Sequence, residues 1–170
     1  GDVDDDGDLD TFIANNNQAN KVWVNDGNGT FTDSSQSIGS LTSEGVELAD
    51  LDDDGDLDAF VANKTQTNKV WINDGTGNFT DSDQSLGSSN SWRIELGDVD
   101  DDGDLDAFVA NHHNQANKVW INDGNGTFTE GQSLGSSQSE GVELGDVDGD
   151  GDLDAFVANR YQANKVWNNE

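Results

Sequence analysis

The chain has no cysteine, no proline and no methionine, and only 7 Lys and Arg stand against 36 Asp and Glu. Without cysteine there is no disulfide framework, no thiolate zinc site and no cysteine nucleophile. The redox compartment stays open, because a secreted protein held by metal needs no disulfides. Without methionine, Gly1 is not the start of a primary translation product, so a processed form, a fragment or an expression product is expected. No apolar run reaches the length of a membrane span, and no basic-then-apolar signal segment opens the chain. The formal charge of −29 repels polyanions, so neither nucleic-acid binding nor membrane insertion is expected. Apolar residues make up only 31% of the 170 residues, while glycine reaches 20. Many turns and thin, strand-rich layers follow.

So acidic and so weakly apolar a composition suits a disordered chain. The distribution of the acids argues otherwise, since 23 Asp fall within residues 2–10, 50–58, 98–106 and 146–154. Carboxylates clustered at a fixed spacing are what a hard divalent cation selects. Four calcium ions would bring the charge from −29 to −21, at two positive charges each.

Asp2, Asp50, Asp98 and Asp146 open near-identical segments, which sets a period of 48 residues. The whole chain, 1–170, reads as one array of about 3.5 repeats, the last incomplete. Each unit holds four strand-like runs. In the second these are Gly45–Ala49 with alternating apolar residues, Leu57–Ala62 apolar on both faces, Asn68–Asn73 around Trp71, and a weaker run at Phe79–Thr80. Asn73-Asp74-Gly75 between the last two is a hairpin signal. Four antiparallel strands in a repeat of this length make one β-propeller blade, so the expected class is all-β. The third repeat gains a residue near His112–Asn114 and loses one near Glu130–Gly131. Both places are expected to be loops.

The Asp-rich loops have carboxylates at positions 1, 3, 5 and 9 with glycine at 6, so that alternate side chains point inward as the backbone wraps an ion. The position-7 residue is expected to add its carbonyl. The candidate metal residues are therefore Asp2, Asp4, Asp6, Asp8 and Asp10; Asp50, Asp52, Asp54, Asp56 and Asp58; Asp98, Asp100, Asp102, Asp104 and Asp106; and Asp146, Asp148, Asp150, Asp152 and Asp154. The expected cofactor is Ca²⁺, about four per chain, since an all-protein oxygen cage suits calcium better than magnesium. An EF-hand starts alike but needs Glu at position 12, where this chain has Ile13, Val61, Val109 and Val157.

The run D-x-D-x-D-G-D-L-D, then A-F-V-A-N, then N-K-V-W-x-N-D-G-x-G-x-F-T resembles the bacterial members of the FG-GAP family, the calcium-binding propeller repeats also found in integrin α subunits and often described as VCBS repeats. The resemblance covers essentially the whole chain, although the literal Phe-Gly and Gly-Ala-Pro signatures are missing. It implies an extracellular, calcium-stabilised propeller, usually of seven blades. Integrin-type partner binding is not carried over.

Trp23, Trp71, Trp120 and Trp167 recur at one blade position and read as blade-to-blade packing; Gln18, Asn20 and their copies read as turn hydrogen bonds. Residues that differ between repeats fall in the loop after the second strand and in the link between blades, on one face opposite the metal loops. Of these, Trp92, Arg93, His112, His113, Arg160 and Tyr161 are candidate ligand-binding residues. Serine has no His–Asp partner pattern, and the dense carboxylate clusters are assigned to metal, so no enzyme is expected. The expected role is a secreted or cell-surface structural and adhesion module that associates with neighbouring copies of itself. The alternatives are a glycan-binding lectin, with glycans or cell-surface proteins as partners, and an accessory domain of a larger secreted protein.

Overall fold

The computed structural model describes Gly1–Glu170 and contains strands only. They form four antiparallel sheets. The first holds β1 (Thr11–Ile13), β2 (Lys21–Asn25) and β3 (Phe31–Asp33); the second holds β4 (Ser43–Ala49), β5 (Asp58–Asn63), β6 (Lys69–Asn73) and β7 (Phe79–Asp81). The third holds β8 (Ser91–Gly97), β9 (Asp106–Asn111), β10 (Gln115–Asn122) and β11 (Phe128–Ser137); the fourth holds β12 (Ser139–Gly145), β13 (Asp154–Asn159) and β14 (Lys165–Trp167). Strands pair in chain order within each sheet, giving propeller-like blades, and β8 lies between β4 and β12.

The two-faced apolar character of D-A-F-V-A-N has a direct purpose. Every residue of β5 and β9 is buried, because alternate side chains enter different interfaces. Phe60, Ala62 and Val70 face the third blade and meet Ala107, Val109, Trp120 and Phe128. Ala59, Val61 and Phe79 face back onto Phe12 and Val22 of the first blade. Phe108, Ala110 and Val119 repeat the forward face against Ala155 and Val157. Edge-to-face aromatic pairs lock two of these seams, Phe12 with Phe79 and Phe60 with Phe128, each with centroids 5.3 Å apart. The recurring tryptophans pack between blades, with Trp71, Trp120 and Trp167 lying over Gly39, Gly87 and Gly135 of the blade before.

A glutamine adds a polar clamp. Gln36 donates to the Gly77 carbonyl (2.6 Å) and accepts from the Phe79 N–H (2.9 Å), and Gln84 does the same with Gly126 and Phe128.

The insertion at His112–Asn114 is a turn in which His113 and Asn114 both have positive φ, where Asn17, Thr65 and Tyr161 stand alone in the other repeats. The deletion at Glu130–Gly131 is not a loop. Ser35 and Asp83, at the corresponding place in the first two blades, have φ of 65° and 61° and break the outer strand there. Losing that left-handed residue lets β11 run unbroken for ten residues. Trp92 and Arg93 likewise lie inside β8, not in the link before it.

Candidate metal centre

Each metal loop joins the first strand of a blade to the second, or leads into β1 in the first blade. Left-handed backbone shapes it twice. The position-6 glycines have φ between 94° and 109°, and position 4 is left-handed as well, at Asp5, Asp53, Asp101 and Gly149. Asp tolerates that conformation better than most residues, and the fourth repeat uses glycine.

Backbone N–H groups hold the carboxylates in place. Asp50 Oδ2 accepts from Gly55 N–H at 3.0 Å, and Asp54 Oδ1 accepts from Asp56 N–H at 3.0 Å. Asp58 accepts from Leu51 N–H at 3.0 Å and from Asn73 N–H at 2.8 Å. It thereby ties the loop to the start of the following hairpin. Asp10, Asp106 and Asp154 make the same pair of bonds in their own blades.

Three carboxylates converge in every loop, with ligand oxygens within 4.8 Å of one another: Asp2, Asp4 and Asp6; Asp50, Asp52 and Asp58; Asp98, Asp100 and Asp106; and Asp146, Asp148 and Asp154. Positions 1 and 3 take part in all four. Asp54, Asp102, Asp150 and Asp10 flank these triads without joining them. The position-7 carboxylates stay outside, and those of Asp8, Asp56 and Asp104 lie against Gly27, Gly75 and Gly124 of the hairpin turn. Val61, Val109 and Val157, at position 12, are buried strand residues.

The donor set fits a hard cation. The Oδ1 atoms of Asp2, Asp4 and Asp52 are shut off from solvent and have no hydrogen-bond partner, a costly arrangement for a carboxylate with nothing to bind. Burial and then neighbouring carboxylates push Asp4, Asp52, Asp100 and Asp148 above the usual range. Burial drives Asp58 up to about 6 and raises Asp106 as well, despite the two N–H bonds to each. Asp154 goes down, because the N–H groups of Asn169 and Val147 outweigh burial there.

These shifts fix the sign of a pH effect. An unfolded Asp titrates near about 3.9, whereas folded Asp58 without metal titrates at about 6. Between the two values the folded chain binds more protons, so metal-depleted protein loses stability as pH rises through that window. A bound cation needs the ionised carboxylates, so metal-loaded protein gains stability over the same window. Melting temperatures across this range should slope in opposite directions with and without metal; parallel slopes would contradict the assignment.

The face at the other end of the strands carries the variable residues, and they are largely spent on one another. Asn16 donates to Glu44, Lys64 pairs with Glu44 at 3.7 Å, and Lys64 also lies 6.0 Å over the Trp92 ring. Trp92 stacks on His112 at 5.2 Å, His112 Nε2 lies 3.5 Å from Glu140, and Arg160 pairs with Glu140 at 3.4 Å. Arg160 covers Tyr161, which is 82% exposed. His113 stands beside His112, with Nδ1 atoms 3.3 Å apart, and Arg93 donates to the Glu44 carbonyl. One line of contacts thus crosses all four blades. Glu44 and Glu140 were the missing members, and the signal was present: Trp92 replaces the acid of S-E-G-V-E-L.

A family model described as FG-GAP-like repeat matches residues 2–61, 50–109 and 98–157. Each match starts at one metal loop and ends on the strand after the next. No curated protein matches the chain.

Proposed function

The chain belongs to the FG-GAP-like repeat family, and on that premise we propose that it is a calcium-binding extracellular structural and adhesion protein, each loop holding one Ca²⁺ that fixes its blade. The observation that carries this reading is the set of four Asp triads, two of which hold buried Oδ1 atoms with no hydrogen-bond partner. All the donors are oxygens from the chain itself, which suits Ca²⁺ better than magnesium or a transition metal. The residues that would hold the ion are the three Asp of each triad, with the flanking position-5 and position-9 carboxylates in reach of the same loop. The ion supplies charge neutralisation and a cross-link between the loop and the second strand. The role is binding and architecture, without catalysis.

Asp98→Asn tests the assignment directly. Calcium stoichiometry measured by titration calorimetry should fall from four toward three, because repeat stability is dominated by nearest neighbours and the other loops keep their own carboxylates. Retention of all four ions would remove Asp98 from the site. A second reading, glycan binding, rests on Tyr161 and Arg160, an exposed aromatic and guanidinium on the variable face; defined hits on a glycan array that vanish with Tyr161→Ala would support it.

A further inference from the structure

The chain has two histidines, and both stand in the turn between β9 and β10 of the third blade, at the opposite end of the strands from the Asp loops. This is the turn that carries the extra residue, and left-handed backbone at both His113 and Asn114 gives it a shape its counterparts lack. It is well anchored. The His112 N–H donates to the Asn90 carbonyl at 2.8 Å, and the His112 carbonyl accepts from the Gln115 N–H at 3.3 Å. His112 is only 8% exposed, and the Trp92 ring stacks on it with an interplanar angle of 25°. An imidazole buried against an indole keeps one orientation. His113 beside it is exposed.

The two rings present the same atom to each other. Their Nδ1 atoms are 3.3 Å apart, the planes cross at 76° and the centroids are 4.9 Å apart. That is closer than an end-to-end meeting of the two nitrogens would hold the rings, so they meet at an angle. Zinc–imidazole bonds are about 2.0–2.1 Å long, and two of them at the tetrahedral angle set their nitrogens about 3.3–3.4 Å apart. A right-angled pair, as in square-planar copper or nickel, would draw them to about 2.8–3.0 Å. The spacing here is the tetrahedral one.

The other nitrogen of His112 is accounted for as well. Nε2 is shut off from solvent with no hydrogen-bond partner, and Glu140 Oε1, on β12 of the next blade, lies 3.5 Å from it. A histidine that binds metal through one nitrogen turns the other N–H to a carboxylate or carbonyl, which fixes its tautomer. With the proton on Nε2, toward Glu140, the Nδ1 lone pair of His112 is free to bind on the His113 side.

We infer that His112 and His113 chelate one Zn²⁺ through their Nδ1 atoms, with Glu140 as the positioning residue behind His112. When no ion is bound, one proton lies between the two Nδ1 atoms; on binding it passes to His113 Nε2, so both ligands stay neutral. Water fills the two remaining tetrahedral positions. The site shares no residue with the Asp loops, and its nitrogen donors select a transition ion where the loop oxygens select calcium.

Titration calorimetry with Zn²⁺ in saturating calcium tests this. One Zn²⁺ per chain is expected, lost in His113→Ala, which removes an exposed side chain and should keep the parent melting temperature and calcium binding. Glu140→Ala should weaken zinc about 10–100-fold, whereas Glu140→Gln, which keeps an acceptor for Nε2–H, should weaken it less. Long-range ¹H–¹⁵N spectra of the rings identify the ligating atoms, and zinc should shift Nδ1 of both histidines most. Zinc that binds His113→Ala as well as it binds the parent sits on carboxylates and would overturn the proposal. So would the absence of zinc binding, or a response centred on His112 Nε2.

Discussion

Stripping calcium at neutral pH should unfold the chain or lower its melting temperature by a wide margin. Extracellular calcium modules bind with Kd of about 10⁻⁴–10⁻³ M. At free calcium about ten times Kd, each site contributes RT ln 11, roughly 1.4 kcal/mol, and four independent sites contribute about 6 kcal/mol. The whole stability of an ordinary domain is about 5–15 kcal/mol. Removal of the ions also leaves three like charges within 4.8 Å in each loop, a second cost acting in the same direction. Differential scanning calorimetry in calcium and in excess chelator decides the matter. An unchanged melting curve would end the calcium reading, whatever the chain's oligomeric state.

The second large effect is Phe60→Ala, expected to cost about 3–5 kcal/mol. Phe60 is fully buried and stands edge-to-face with Phe128 in the largest apolar cluster of the chain. Truncation opens a cavity between the second and third blades that neither backbone can close, since both are pinned by their own ladders. The same residue type at the same repeat position supplies an internal control. Phe156 is 43% exposed, so Phe156→Ala in dilute protein should change stability by no more than about 0.5 kcal/mol. Chemical denaturation of the two variants should separate them clearly. Equal costs would show that the repeat position, and not its neighbours, sets the energy.

Much of this architecture is legible from sequence because the signals are local and repeated. The 48-residue period, the apolar strands such as Asp58–Asn63, and the loops built on Asp50, Asp52 and Asp58 follow from residue type and spacing. The parts that are not legible depend on backbone handedness or on contacts between repeats. Glu130–Gly131 reads as loop by its length change, but that change removes a left-handed residue and so lengthens a strand. The carboxylate of Asp56 alternates with those of Asp54 and Asp58 in sequence, yet it turns toward Gly75, because the left-handed glycine at Gly55 breaks the alternation. The Gln84 clamp joins residues 42 and 44 apart, and nothing local in Q-S-L announces it. Trp92 and His112 each look like free recognition residues until the stack between them is seen.

The asparagine bonds between blades give the chain a direction in time. The loop carbonyl of Val3 is engaged by Asn73, that of Leu51 by Asn122, and that of Val99 by Asn169, separations of 70, 71 and 70 residues. A ribosome releases the chain from its first residue at about 5–20 residues per second, so each loop is complete in sequence several seconds before its fastening emerges. For that interval a nascent loop lacks its bond from the following blade. Each new blade fastens the loop carbonyl of the one before it, so the most recently made loop is always the one not yet fastened.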